Sequence, residues 1–267
     1  MATYTAVTEK DFGSKTWRPV DSFRFFAQER TAPLVAAEFP KACVAFPIAW
    51  LENGRGYEPV ALLGLQQSEN LFINGQQRWV GAYTPAHLRN QPFRLIPTDK
   101  ERLTLGVRED LNLVSDTDAG IPFFNENGEL SDEVHSVVDR LQKLETNRTA
   151  SAIATQALAD AGILTPWTLT PMVNGEKVRL GGLFHVSQEK LNNVDAQTLA
   201  ELRDKGALAM AYCQQISQQL IQRLEMLHEQ RAKAKTKRSS HPADQVDFGL
   251  GDDEGISFGG MGDSTDD

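Results

Sequence analysis

The sequence predicts an α+β fold, in which a mostly antiparallel β-sheet from the N-terminal half packs with helices from the C-terminal half. In the first half, short apolar and aromatic runs alternate with Asn-Gly pairs, as in hairpins. After residue 131, apolar residues recur at helical spacing instead. Near the C-terminus the apolar pattern stops, which predicts a disordered acidic tail because such a segment cannot offset its ordering entropy.

Asn-Gly pairs mark the predicted hairpins, because both residues of such a pair tolerate the positive φ that tight β-turns require. Apolar runs flank the pairs that begin at Asn53, Asn74 and Asn174. We therefore expect paired strands at 44–51 and 57–65, at 70–73 and 77–80, and at 168–173 and 177–184, with further strands at 93–96 and 102–107.

Three helices are predicted in the second half. Ser131 is the N-cap of the first, and a second spans about 149–161. Asp195 caps the third and longest, which continues to about residue 230. Small residues at 206–211 favour its close packing on the body, and its length also allows a homodimer through its C-terminal turns.

Charge divides the chain into three parts. Residues 1–230 form the predicted single α+β domain, 231–240 a basic linker with five basic side chains and no acid, and 241–267 a tail with eight acids and no Lys or Arg. The net charge of −9 argues against general nucleic-acid affinity of the whole surface. The linker alone offers a candidate nucleic-acid contact, formed by Arg231, Lys233, Lys235, Lys237 and Arg238.

The residue types that carry chemistry are scattered along the chain. Its five histidines show no metal-ligand spacing, and no nucleophile elbow or phosphate-binding loop is present. We therefore expect no metal, no cofactor and no catalytic residue. Cys43 and Cys213 are expected to be buried reduced thiols, with a single disulfide between them as the alternative. His228 is expected on a polar, solvated helix face.

One group of residues supports the alternative of a small-ligand-binding or enzymatic module. Trp79, Tyr83, His87 and Arg89 place aromatic and polar groups alternately, just after a predicted turn. Such a mixture is typical of ligand pockets. The competing interpretation is that the aromatic side chains are packed in the core.

The acidic tail is a candidate docking segment for a protein partner, because its acids alternate with isolated apolar residues. The residues that carry this prediction are Phe248, Asp252, Asp253, Glu254 and Phe258. A solubilising disordered end is the competing interpretation.

The N-terminal residues contain no apolar segment of the kind found in secretory signals. No window approaches the ~18 consecutive apolar residues that a spanning helix needs. We therefore expect no membrane insertion and a cytoplasmic location, with surface association only by a signal-independent route.

A series of short motifs resembles the bacterial SapC family. The motifs keep one order over roughly residues 20–230, and they lie at 32–40, 46–48, 59–65, 69–73, 79–89, 91–93, 121–130, 148–150 and 181–186. The family takes its name from a protein associated with a bacterial surface layer. The resemblance thus implies a surface-layer-related role. Because the sequence also shows no group of reactive residues, we expect a non-catalytic bacterial or phage-encoded protein that acts in macromolecular assembly or partner binding.

Overall fold

The computed structural model describes residues 3–54, 56–98, 102–116 and 120–239, and within them the protein has the predicted α+β fold. The acidic tail, with Phe248, Asp252, Asp253, Glu254 and Phe258, lies outside the described residues. No described helix is long and apolar enough to cross a membrane.

The described strands pair antiparallel in small sheets, of which the largest has five strands. In chain order the strands are β1 (Thr5–Ala6), β2 (Thr16–Trp17), β3 (Thr31–Pro33), β4 (Ile48–Glu52), β5 (Tyr57–Leu62), β6 (Phe93–Pro97), β7 (Leu103–Val107), β8 (Val114–Ser115), β9 (Ile121–Pro122), β10 (Leu164–Leu169), β11 (Met172–Val173), β12 (Glu176–Lys177) and β13 (Leu180–Val186).

The five-stranded sheet has the order β10-β13-β4-β5-β3. The β4–β5 hairpin turns at the predicted Asn-Gly pair, where Gly54 has a φ of 75°. Two strands of the C-terminal half complete this sheet, since Phe184 of β13 pairs with Trp50 of β4. The first half of the chain therefore supplies only three of the five strands.

The hairpin predicted at 70–73 and 77–80 is wrong, because this segment forms only one isolated bridge, between Ile73 and Trp79. Two backbone bonds connect the arms, from Asn74 N to Arg78 O and from Val80 N to Phe72 O, and the Asn74 side chain makes further bonds within the turn. Asn74 Oδ1 accepts from the backbone N–H groups of Gln76 and Arg78, at 2.9 and 3.0 Å. Such local side-chain bonds compete with strand pairing.

The helices differ from the prediction in where they break. They are α1 (Glu9–Phe12), α2 (Phe39–Ala42), α3 (Ala86–Arg89), α4 (Asp132–Asp160), α5 (Gln188–Asn192), α6 (Ala196–Asp204), α7 (Ala207–Ser217) and α8 (Ile221–Ser239), and 3-10 turns span Arg24–Phe26, Ala36–Glu38, Glu109–Leu111 and Gln218–Leu220.

Helix α4 runs as one helix of 29 residues where two were predicted. Its N-cap is Ser131, as expected, and Ser131 Oγ accepts from Val134 N at 3.3 Å. The polar residues in its middle do not break it, because their side chains bond to carbonyls four residues earlier in the helix. Thr149 and Ser151, for example, donate to the carbonyls of Glu145 and Asn147.

The long third helix of the prediction is divided into three. Helix α6 ends before Gly206, whose φ of 72° is left-handed and suits glycine. The 3-10 turn at Gln218–Leu220 separates α7 from α8. Because of these breaks, α8 packs against the segment around residues 66–80.

Two hydrophobic cores pack against different halves of helix α4. The main core surrounds Trp50 of the five-stranded sheet and includes Leu158 near the C-terminal end of α4. The second core surrounds Phe123 and includes Leu141, nearer the helix N-terminus. The candidate site described next lies between these cores.

Candidate functional site

A cavity of about 230 Å³ lies where the two cores meet along α4. We call it the intercore cavity. Its walls come from the segment after β3, from α3 with the start of β6, and from α4. The residues that define it here are Tyr4, Leu34, Glu38, His87, Arg94 and Arg148.

Glu38 is a buried carboxylate on the wall of this cavity. Its Oε1 accepts from Tyr83 Oη at 2.8 Å and from Ala86 N at 2.7 Å. Its Oε2 accepts from Val35 N at 3.1 Å. Glu38 therefore ties the 3-10 turn that follows β3 to helix α3, and three donors compensate its charge.

The pKa of Tyr83 follows from the same contact with Glu38. Burial, together with the charge of Glu38 and the hydrogen bond to it, raises the pKa of the Tyr83 hydroxyl to about 12. The hydroxyl therefore stays protonated at neutral pH and donates to Glu38.

His87 lies on α3 at the cavity wall and is a neutral imidazole at neutral pH. Burial, together with the positive charge of the guanidinium groups of Arg94, Arg148 and Arg108, lowers its pKa to about 4. Its Nε2 is 3.8 Å from Glu29 Oε2. Because the ring is uncharged at pH 7, this contact is not an ion pair there.

The positive charge of the cavity is at its rim. Arg148 extends from α4, where its Nε lies 3.5 Å from Glu145 Oε2. Arg94 lies on β6 over the ring of Tyr4, 5.9 Å from the ring centroid, and forms no salt bridge with any described residue. The rim therefore carries a guanidinium group that has no carboxylate partner among the described residues.

The four residues singled out in the sequence lie close together but have different roles. His87 lines the intercore cavity, and Tyr83 acts on it through Glu38. The Trp79 ring stacks on Phe72 with centroids 5.6 Å apart, as in the core interpretation. Arg89 lies over the Tyr83 ring, 5.6 Å from its centroid.

Sequence reasoning missed Glu38, Arg94 and Arg148. A signal for Glu38 was present, because it is the only acid within the apolar motif at 32–40. Arg148 begins the motif at 148–150, but neither it nor Arg94 stood out by residue type, since each is one of many exposed basic residues and only the fold brings them to the same rim.

One residue of the candidate nucleic-acid contact is engaged in hydrogen bonds within the protein. The Arg231 guanidinium donates to the backbone carbonyls of Asn70 and Ile73. Lys233 is exposed, with its Nζ 3.7 Å from Glu229. The side chains of Lys235, Lys237 and Arg238 lie outside the described part of the chain.

His228 is buried, so the prediction of a solvated side chain is wrong. Its Nδ1 lies 3.0 Å from Glu69 Oε1, and its Nε2 lies 3.2 Å from Asn174 Oδ1. The helix pattern gave no sign of this, because the partners come from segments far away in the sequence. Together with Arg231, His228 fastens α8 to the body.

The remaining groups that could react or bind a metal are the cysteines and the possible metal ligands among the described residues. Cys43 and Cys213 are free thiols. Burial, and to a smaller extent the nearby Cys43, raises the pKa of the Cys213 thiol to about 11. Within the described ranges, no group of three or more His, Cys, Asp or Glu side chains is arranged to hold a metal ion.

Comparisons with known proteins bear on the family. Neither the curated proteins nor the solved structures contain a match to the chain. The SapC family model matches residues 7–224, a span that includes every lining residue of the intercore cavity except Tyr4 and ends within α8. Because this match covers most of the sequence and agrees with the motifs, the chain belongs to the SapC family.

Proposed function

We propose that this SapC-family protein is a non-catalytic binding module that takes a small anionic molecule into the intercore cavity. The observation that carries the proposal is the combination of apolar walls with a rim formed by Arg94 and Arg148. Pockets of this kind, between two packed units, are common ligand sites.

The charges around the cavity favour an anion. Three donors already compensate Glu38, and His87 is neutral at neutral pH. Glu58, the other acid on the wall, is solvent-exposed, so its charge is screened. Guanidinium groups bind carboxylates and phosphates through paired hydrogen bonds, and Arg94 has no such partner among the described residues.

The size and walls of the cavity define the rest of the ligand. Its volume of about 230 Å³ is below the roughly 300 Å³ at which drug-sized sites begin. Leu34, Phe93, Leu141 and Leu144 contribute apolar surface. These features fit a small carboxylate or phosphate ester with a short apolar group.

The same residues argue for binding without catalysis. A histidine with a pKa of about 4 is a weak base at neutral pH. The oxygens of Glu38 are taken by Val35, Tyr83 and Ala86. The described wall contains no Ser, Thr, Cys or Lys that would serve as a nucleophile.

The double variant Arg94→Gln/Arg148→Gln tests this proposal. Calorimetric titration with a panel of small carboxylates and phosphates is expected to find binders whose affinity falls tenfold or more in the variant, because charge-assisted bonds contribute about 1.5–3 kcal/mol each. Arg102→Gln/Arg140→Gln, which removes the same charge from exposed positions off the cavity, is the matched control. Equal affinity in both variants, or no binder in the panel, would refute the proposal.

Assembly or partner binding, which the family resemblance implies, is the second candidate function. It is favoured by an exposed apolar face on α7, where Tyr212 is 51% and Ile216 is 52% exposed. These residues are four positions apart and so lie on one side of the helix. If this face forms a homodimer, Ile216→Lys should convert a dimer to a monomer in sedimentation equilibrium. A wild-type protein that is monomeric at every concentration would exclude the homodimer.

A further inference from the structure

A second concave surface lies under helix α8. It is a groove of about 820 Å³ between α8 and the segment around residues 66–80. We call it the α8 groove, and the residues that define it are Leu71, Ile73, Val80, Leu227, Arg231 and Ala234. Val80 is 50% exposed, so part of this apolar lining faces solvent.

Polar contacts between the two walls lie at the edge of the groove. Arg231 bonds the carbonyls of Asn70 and Ile73, and His228 bonds Glu69. These contacts fix α8 relative to the opposite wall. A ligand would therefore meet a preformed surface and would not have to order it.

We propose that the acidic C-terminal segment of the same chain docks in the α8 groove. Phe248 and Leu250 enter the groove, and Asp252, Asp253 and Glu254 lie along the basic side of α8. The segment thus binds in cis and covers the exposed apolar lining.

The position of the segment in the chain makes this docking sterically feasible. Helix α8 ends at Ser239, and the eight residues from Arg231 to Ser239 carry the chain about 12 Å away from the groove. The nine residues from Ser239 to Phe248 span up to about 30 Å when extended. The chain is therefore long enough to return, and tethering supplies an effective concentration on the order of millimolar.

The charges of the two elements are complementary. Helix α8 carries six basic and two acidic residues, whereas residues 241–267 carry eight acids and no Lys or Arg. Opposite charges of this kind orient an association and make it dependent on ionic strength. The apolar residues Phe248 and Leu250 lie shortly before the acids Asp252–Glu254, separated only by single glycines, so one short segment meets both the lining and the helix.

A second copy of the chain is a less suitable occupant. The exposed apolar face on α7, with Tyr212 and Ile216, does not line this groove. A neighbouring copy that offered the same acidic segment in trans would lack the benefit of tethering. Such docking would depend on protein concentration, whereas docking in cis does not.

Methyl-labelled full-length protein allows a direct test by NMR. Phe248→Ser/Leu250→Ser is expected to shift the methyl resonances of Val80 and Leu227, because it removes the groups that contact them. Ile256→Ser/Phe258→Ser, which makes the same kind of change further along the tail, is expected to leave those resonances in place. High salt should reproduce the shift in the wild type, and dilution should have no effect.

Three results would overturn the proposal. The first is that Val80 and Leu227 have the same resonances in the wild type and in Phe248→Ser/Leu250→Ser. The second is that the two double variants shift them equally, which would mean that no specific segment docks. The third is a dependence on protein concentration, which would assign the groove to a second copy.

Discussion

Replacing Glu38 with alanine is expected to destabilise the protein by about 3–5 kcal/mol, because each buried donor left without an acceptor costs about 1–3 kcal/mol. The donors are the Tyr83 hydroxyl and the backbone N–H groups of Ala86 and Val35. All three lose their partner at once in Glu38→Ala. Urea unfolding measures the change as a lower midpoint.

A graded series makes this prediction specific. Glu38→Gln keeps one oxygen for Tyr83 and Ala86 but turns an amide N–H₂ toward the N–H of Val35, so about 1–3 kcal/mol is expected. Glu58→Gln is the control, since Glu58 lines the same cavity but is exposed, and its effect should stay within about 0.5 kcal/mol. If Glu38→Ala unfolds at the same urea concentration as Glu58→Gln, the bridging role of Glu38 is wrong.

Replacing His228 with alanine is expected to release helix α8 from the body at a cost of about 1–3 kcal/mol. Its Nδ1 and Nε2 lie 3.0 and 3.2 Å from Glu69 Oε1 and Asn174 Oδ1, so the ring links α8 to two segments far away in the sequence. Without the ring the Glu69 side chain, which is 11% exposed, loses this hydrogen bond and keeps the one from the backbone N–H of Leu65. A buried polar group left without a partner costs about 1–3 kcal/mol.

Hydrogen exchange locates this effect. Amides of residues 221–239 should exchange faster in His228→Ala, whereas amides of the five-stranded sheet should keep their protection, because only α8 depends on the contact. His135→Ala removes an exposed histidine from α4 and is the matched control. Unchanged protection of α8 in His228→Ala would show that other contacts hold the helix.

The elements that could be predicted from the sequence are those governed by neighbouring residues. The Asn53-Gly54 turn and the Ser131 cap depend on local geometry, and both are found where expected. The Asn74-Gly75 pair carried the same signal, but the flanking residues form only one isolated bridge. Here the Asn74 side chain accepts hydrogen bonds from the backbone N–H groups of Gln76 and Arg78. The pattern of apolar residues does not distinguish these outcomes.

The candidate site could be predicted only in part, because it combines distant segments. His87 was identified since aromatic and polar groups surround it in the sequence, and it does line the cavity. Arg94 and Arg148 reach the same rim only because α4 spans both cores. His228 was misassigned for a similar reason, as its partners Glu69 and Asn174 lie far away in the sequence.

Titration of the His87 ring by NMR tests the central claim most directly, namely that the intercore cavity receives an anion beside Arg94 and Arg148. In the protein alone we expect a pKa of about 4, because burial and the guanidinium groups disfavour the charged ring. A saturating small carboxylate or phosphate should raise the pKa of His87, since a bound anion offsets the positive charge of the guanidinium groups. An ordinary pKa that no anion changes would contradict the account.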